Sequence, residues 1–302
     1  MDVRQIEYIV KIADEHSITR AAEKLFITQS ALNQQLLRLE KELGVPLFFR
    51  SKSDMQPTPA GEVYLKYARE ILCLKKQAYN MIGDMANTHR GHLSIGFTPG
   101  RGIEMFTQVY PAFHCSFPQV VVEPWELSVH KQQQMIARGD LDIGFQTLSR
   151  KQRTGDAYTD LCEEEIVLAI PTIHPVSRFA APKGEPFAVL DPSLLQHEPF
   201  VLMYKESTIR ATVDEIFRVS GFVPNVLFET ANNNTIISMI QARLCCGVVP
   251  YYYVKDNPDG ITCFSFPSRP TWDVVASYRK DMHLNNSARY FIELAGNYWN
   301  GN

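Results

Sequence analysis

The sequence predicts a multidomain chain: a small, mostly α head built as a winged helix-turn-helix, a long linker helix, and an α/β body. Three observations predict it. Two short helical segments joined by a tight turn precede an extended segment, a polar turn and a return. A stripe of apolar residues at helical spacing then runs over residues 59–87. From residue 91 short apolar runs alternate with helical segments, the pattern of a largely parallel sheet with covering helices.

Val3, Ile6, Ile9, Val10 and Ala13 recur at helical spacing and predict a first helix over 2–15. Ser17 reads as the N-cap of a second helix over 18–25, with Arg20 in its first turns and Ala21, Ala22 and Leu25 apolar. Thr28 caps a third, "QSALNQQLLRLEKELG", which Gly44 stops. Leu32, Leu36, Leu39 and Leu43 form its apolar side. Its other side begins with Gln29, Ser30, Asn33 and Gln34, uncharged until Arg38. Solvated helix faces are usually rich in Lys and Glu, so this amide face calls for a partner. Asn and Gln bond adenine N6 and N7 together in the major groove, and Gln29 and Asn33, four apart, share a face.

"VPLFFR" and the segment after it read as a β-wing with Arg50 and Lys52 near the tip. Those two and Arg38 are suited to phosphates. Thr58-Pro59 then opens the long helix, Thr as N-cap and Pro at N1. Tyr64, Ala68, Ile71, Ala78, Ile82 and Met85 form a 4-3-4-3 stripe, interrupted by Lys75, that suits dimerisation.

In the body, strands are predicted at "HLSIGF", "VVVEPWEL", "LDIGF", "EEIVLAI", "PFVLM", "NVLFET", "GVVP", "ITCFSF" and "WDVVASY", with helices between and a closing helix over 286–299. Ligands in such sheets sit beyond the carboxyl ends of the strands, where helix N-termini point. Those ends carry Thr98, Gly100, Arg101, Ser128, Gln146 and Thr147 in the first half, and Ser207, Thr208, Asn233, Asn234 and Thr235 in the second. For any single Ser or Thr, capping is the simpler reading. Collectively they would make an anion cradle, with Arg101 as a two-pronged carboxylate clamp.

The composition is that of an ordinary globular protein: 302 residues, 45% hydrophobic, 21% charged. No apolar run is long enough to span a bilayer and "MDVRQIEYIV" is not a secretory signal, so a cytoplasmic protein with no membrane association is expected. The net charge of -3 hides a mildly basic head on an acidic body. The six Cys have no zinc spacing, and no H-E-x-x-H, G-x-S-x-G or GxxxxGK[ST] motif occurs, so no catalytic or metal-ligating set and no metal cofactor is expected. The adjacent pair Cys245-Cys246 leaves a thiol-based redox response open.

Residues 16–50, "HSITRAAEKLFITQSALNQQLLRLEKELGVPLFFR", resemble the LysR-type transcriptional regulators, and "TPAGEVYLKYAREIL", "GHLSIGF", "RGDLDIGF", "EEIVLAIPTIHP" and "GVVP" fall where that family has such segments. The resemblance implies a DNA-binding domain over 1–58, a linker and dimerisation helix over 59–90, and a two-lobed, periplasmic-binding-protein-like effector domain. Lobe 1 would comprise 91–161 and 267–302 and lobe 2 residues 162–266, with crossings near 161 and 266. It implies a regulator rather than an enzyme or a transport binding protein. Its partners would be a double-stranded DNA operator with paired half-sites and a small polar or anionic co-inducer or co-repressor. The working form would be a homodimer or homotetramer. Arg20, Thr28, Gln29, Ser30, Asn33, Gln34, Arg38, Arg50 and Lys52 would meet DNA. Two departures stand out. Family members usually carry Ser-Arg where this chain has Asn33-Gln34, and glycines near Arg243 and Cys245. Peroxide-sensing relatives carry a reactive Cys around the segment occupied here by "MYKESTIR", which has none.

Overall fold

The protein is described from a computed structural model that covers residues 2–49, 54–86, 90–182, 184–255 and 259–301. Arg50 and Lys52 lie outside the described residues. The chain forms two compact units, Met1–Gly91 and His92–Asn302.

The first unit is helical: α1 (Val3–Glu15), α2 (Ile18–Lys24), α3 (Gln29–Leu43) and α4 (Pro59–Met85). Each start has a side-chain cap. Asp2, Ser17, Thr28 and Thr58 accept from the backbone N–H groups of Arg4, Arg20, Ala31 and Gly61, respectively. Gly44 ends α3 at φ 72°, the left-handed cap. Ile6, Ile9, Ile12, Ala21, Leu32, Leu36, Leu39, Phe48, Leu65 and Ala68 build the core. Leu43 is instead exposed and lines a groove with Val63, Tyr67 and Ile71 of α4.

The wing is present as an antiparallel bridge between Phe48 and Pro57, with Phe49 N–H donating to Gln56 O at 2.8 Å. Glu40, buried on α3, holds its base by accepting from Leu47 N at 2.8 Å and Phe48 N at 3.4 Å. Gly61 lets α4 start against the same strand, since a Cβ there would lie 1.9 Å from Leu47 O.

The predicted stripe on α4 changes its surroundings along the helix. Ala68 is buried in the unit's own core and Tyr64 and Ile71 pack against it, while Ala78, Ile82 and Met85 are exposed. The first half of α4 must cover α1, to which Arg69 and Lys75 tie it through Asp14 and Glu7. The exposed apolar row starts one position earlier: Val63, Tyr67, Leu74, Ala78, Met81 and Met85.

The second unit contains β1 (Arg90–Phe97, beginning at the unit boundary), α5 (Arg101–Ser116), β2 (Gln119–Glu126), α6 (Val129–Arg138), β3 (Ile143–Leu148), β4 (Ala157–Pro171), β5 (Pro199–Met203), α7 (Thr208–Val219), β6 (Asn225–Thr230), α8 (Asn233–Gln241), β7 (Gly247–Pro250), α9 (Tyr252–Lys255), β8 (Ile261–Phe264), β9 (Thr271–Tyr278) and α10 (Asn286–Gly301). The strand order is β2-β1-β3-β9-β4-β7, with β8 also on β4. The sheet is mixed rather than largely parallel: β1 and β3 are parallel, whereas β9 runs antiparallel to both β3 and β4. The reason is that β4 and β9 carry the chain in opposite directions between the lobes.

The first crossing is a continuous strand. Glu165 of β4 still pairs with Thr271 of β9, and the next residue, Ile166, pairs with Pro250 of β7. The change of lobe thus falls four residues beyond the predicted 161. The return runs through residues 265–270, between β8 and β9. Lobe 1 packs Ile95, Phe97, Met105, Phe113, Phe145, Phe291 and Trp299 in one core; lobe 2 has a core on each side of its sheet, one around Phe200, Phe217 and Phe264 and one around Val201, Ile236 and Val249.

Candidate functional site

Two sets of residues matter, one in each unit. In the first, Gln29, Ser30, Gln34 and Arg38 are exposed on α3 and Asn33 is half-buried. Leu32, Leu36, Leu39 and Glu40 hold the opposite side in the core. Thr28 is used locally: its Oγ1 accepts from Ala31 N at 3.2 Å and shares a 3.1 Å hydrogen bond with Ser30 Oγ. Arg20 is folded back, its guanidinium donating to Glu15 O from Nε at 3.1 Å and from Nη2. It closes the C-terminus of α1, so the part of its fork free for DNA is smaller than predicted.

A residue that the sequence reading passed over also lies here. Phe26, in the turn before α3, has φ 55° and a side chain 95% exposed. An apolar residue placed in a left-handed turn is a signal legible only when the turn's backbone is known.

In the second unit the predicted ligand residues separate into three groups. The first is structural. Arg101 is 4% exposed and donates from Nη1 to Glu164 Oε2. Its guanidinium carbon lies 4.4 Å from the Tyr252 ring centre and 4.5 Å from that of Trp299. Glu164 is saturated from the other side by Tyr252 N at 2.6 Å and Trp272 Nε1 at 2.8 Å. Arg101 is therefore already ion-paired to a buried carboxylate through Nη1, while its Nε is buried without a partner.

The second group joins the lobes. Thr208 Oγ1 on α7 donates to Thr147 O at the end of β3, 2.8 Å away, and Gln152 Nε2 donates to Thr208 O at 2.9 Å. Ser128 caps α6 by accepting from Lys131 N, whereas Ser207 makes no side-chain cap bond. Asn234 is exposed, Thr98 and Thr235 are half-buried, and Gly100 sits at φ 77°, a conformation suited to glycine.

The third group is buried and incompletely paired. Gln146 is 1% exposed with neither amide atom hydrogen-bonded in the protein, and Asn233 Oδ1 is also buried without a partner. Tyr253 lies beside Asn233, and burial is the main cause that raises its hydroxyl above the usual tyrosine range.

Cys245 and Cys246 are both buried, and burial pushes Cys245 up to about 11 and Cys246 up to about 12, which disfavours the reactive thiolate at this pair. Arg243, where the family resemblance leads one to expect glycine, takes a left-handed φ of 63° and closes α8 through Arg243 N–H to Ile240 O at 2.8 Å.

Among the described residues no metal-binding cluster is found, and no helix is long and apolar enough to cross a membrane.

Comparison with known proteins accounts for both units. Residues 3–62 match the profile described as "Bacterial regulatory helix-turn-helix protein, lysR family", and residues 86–300 match "LysR substrate binding domain". The Hca operon transcriptional activator HcaR of Escherichia coli is 33% identical over 85% of this chain and 84% of its own. The regulator AlsR of Bacillus subtilis is 28% identical over 98% and 95%. Among solved structures, a full-length OxyR variant from Pseudomonas aeruginosa superimposes with a TM-score of 0.72 at 26% identity, covering 99% of this chain and 94% of that one. CbnR in complex with its target DNA shares the fold, with a TM-score of 0.59 at 21% identity over 98% and 99%. The chain belongs to the LysR family of DNA-binding transcriptional regulators and is not an enzyme.

Proposed function

We propose that this regulator reads an operator through the amide face of α3 and that a small polar metabolite, bound between the lobes, sets its DNA-binding state. The single observation that carries the reading is the exposure of Gln29, Ser30, Gln34 and Arg38 opposite a buried leucine face. Gln29 and Asn33 pair with base edges; Arg38, Arg50 and Lys52 hold phosphates. Phe26 adds an apolar contact of the kind that meets a thymine methyl.

Two copies associate through α4. The exposed row from Val63 to Met85 supplies the seam, and a groove of about 440 Å³ lined by Leu43, Val45, Val63, Tyr67 and Ile71 continues it. Two reading helices then meet half-sites about one DNA turn apart. A tetramer formed from two such dimers serves longer operators.

The effector acts where the Thr208–Thr147 bond joins the lobes. A ligand shifts the regulator only by binding one lobe arrangement better than the other. Selection of DNA fragments from a genomic library by the full-length protein, followed by footprinting, tests the reading. Two protected half-sites per dimer are expected, and protection without sequence preference contradicts it.

A further inference from the structure

We infer that the polar pocket between α1 and α3 holds a phosphate group, with Arg4 and Arg38 as its two guanidinium ligands. The inference rests on α3 being the reading helix, and it adds α1 to the DNA interface.

A pocket of about 490 Å³ opens between the start of α1 and the second half of α3. It is lined by Arg4 and Gln5 from α1, by Gln35 and Arg38 from α3, and by the carboxylates of Asp2 and Glu42. Arg4 and Arg38 are exposed, and neither guanidinium makes an ion pair or a hydrogen bond among the described residues. The two carboxylates leave them free. Asp2 is engaged in capping α1, its Oδ1 accepting from Arg4 N at 3.2 Å, and Glu42 has no ion-pair partner among the described residues. Gln5 is the second observation. It is only 9% exposed, it lines this pocket, and its amide makes no hydrogen bond among the described residues. A nearly buried amide with no partner in the fold is a donor held ready for an incoming group.

The chemistry selects a phosphate. Two guanidinium forks present paired N–H donors, Gln5 and Gln35 add amide N–H groups, and the positive end of α1 points the same way. A phosphodiester offers two charged oxygens and no donor, which these groups complement. Asp2 and Glu42 weaken the site, and removing the charge of Asp2 should therefore strengthen it. Arg38 lies one turn beyond Gln34 on α3, so the pocket borders the amide face that meets the bases. A phosphate here belongs to the backbone flanking those bases, and its grip sets the register of α3 in the groove. The same donors would accept free phosphate.

Two variants of the full-length protein, Arg4→Gln and Asp2→Asn, test the pocket. Binding to the footprinted operator and to a scrambled duplex is measured over a range of salt. Arg4→Gln should weaken both by about tenfold and reduce the slope of log K against log salt by about 1. Asn also caps helices, so Asp2→Asn keeps α1 and should bind both duplexes more tightly. Weaker binding by Asp2→Asn contradicts an anion in the pocket. In a second arm, melting of wild type and Arg4→Gln is followed in inorganic phosphate against chloride at equal ionic strength. A rise in phosphate that Arg4→Gln loses, with DNA binding unchanged, assigns the pocket to free phosphate rather than to the DNA backbone. Unchanged DNA affinity and salt slope in Arg4→Gln, with no such rise, overturn the pocket. The reading of α3 still stands in that case if Gln29→Ala loses base preference. A wild type with no preference between the two duplexes defeats that reading, while the salt slope still judges the pocket.

Discussion

Arg101 and Glu164 form a buried ion pair at the point where the chain passes between the lobes, with Tyr252 and Trp299 against the guanidinium. Arg101 opens α5 in lobe 1, Glu164 lies on β4 just before it changes sheet, and Tyr252 opens α9 on the lobe 2 side. The pair fastens the crossing. Removing one member of such a pair leaves the other charged and buried, which is more damaging than never having had the pair.

Arg101→Ala should accordingly destabilise the effector domain by about 3–5 kcal/mol. Urea denaturation followed by tryptophan fluorescence checks this, since Trp272 and Trp299 both adjoin the pair. An unchanged midpoint, accompanied by loss of ligand response, would return Arg101 to the role of a ligand clamp.

Gly61→Ala should loosen the wing. The added methyl would meet Leu47 O at 1.9 Å, so backbone must move, at a cost of about 1–3 kcal/mol. Because Leu47 is also held by Glu40, the strain falls on the base of the wing. Amide exchange of Leu47 and Phe49 should accelerate, with DNA affinity reduced. Wild-type protection at those amides would contradict the packing described.

Arg243→Gly should stabilise. Arg243 holds φ 63°, where a non-glycine residue pays about 1–2 kcal/mol, and glycine returns part of that to the unfolded chain as entropy. A net gain of roughly 0.5–1 kcal/mol is expected in chemical denaturation. A loss would mean that the Arg243 side chain makes a contribution its exposed position does not disclose.

The thiols give the alkaline limit of stability. Burial raises Cys245 and Cys246 to about 11 and about 12 from an ordinary value near 9, so between those values the native state holds protons that the unfolded chain has released. Their contribution is fully present below pH 9 and is lost as pH rises through the native values. Stability should fall above pH 9, and Cys245→Ala with Cys246→Ala should flatten that limb. Mild peroxide at neutral pH should leave both thiols unmodified by mass spectrometry. Rapid oxidation there would reopen a redox response.

Local signals made the head legible. Ser17, Thr28, Gly44 and Thr58-Pro59 mark helix ends by chemistry that acts within three or four residues, and the helices begin or end beside those residues. What failed were judgements that depend on distant partners. Arg101 looked free because Glu164 is 63 positions away, and Tyr252 and Trp299 farther still. Ala68 belonged to an apolar stripe on α4, but nothing local told that α1 covers it. The burial of Gln132 is not legible from α6 alone, because the glycines that admit its side chain, Gly96 and Gly144, lie on β1 and β3. Strand β4 gave no punctuation where it changes lobe, since Glu165 and Ile166 continue one extended run.

The central claim is that Gln29 on α3 reads a base edge. The direct measurement is the affinity of wild type and Gln29→Ala, at fixed salt, for a footprinted operator and for variants with each base pair of one half-site replaced. The account predicts a loss of about 1–3 kcal/mol on the native operator that vanishes when one particular base pair is changed. An equal loss on every sequence would place Gln29 against the phosphates and contradict base reading by this face.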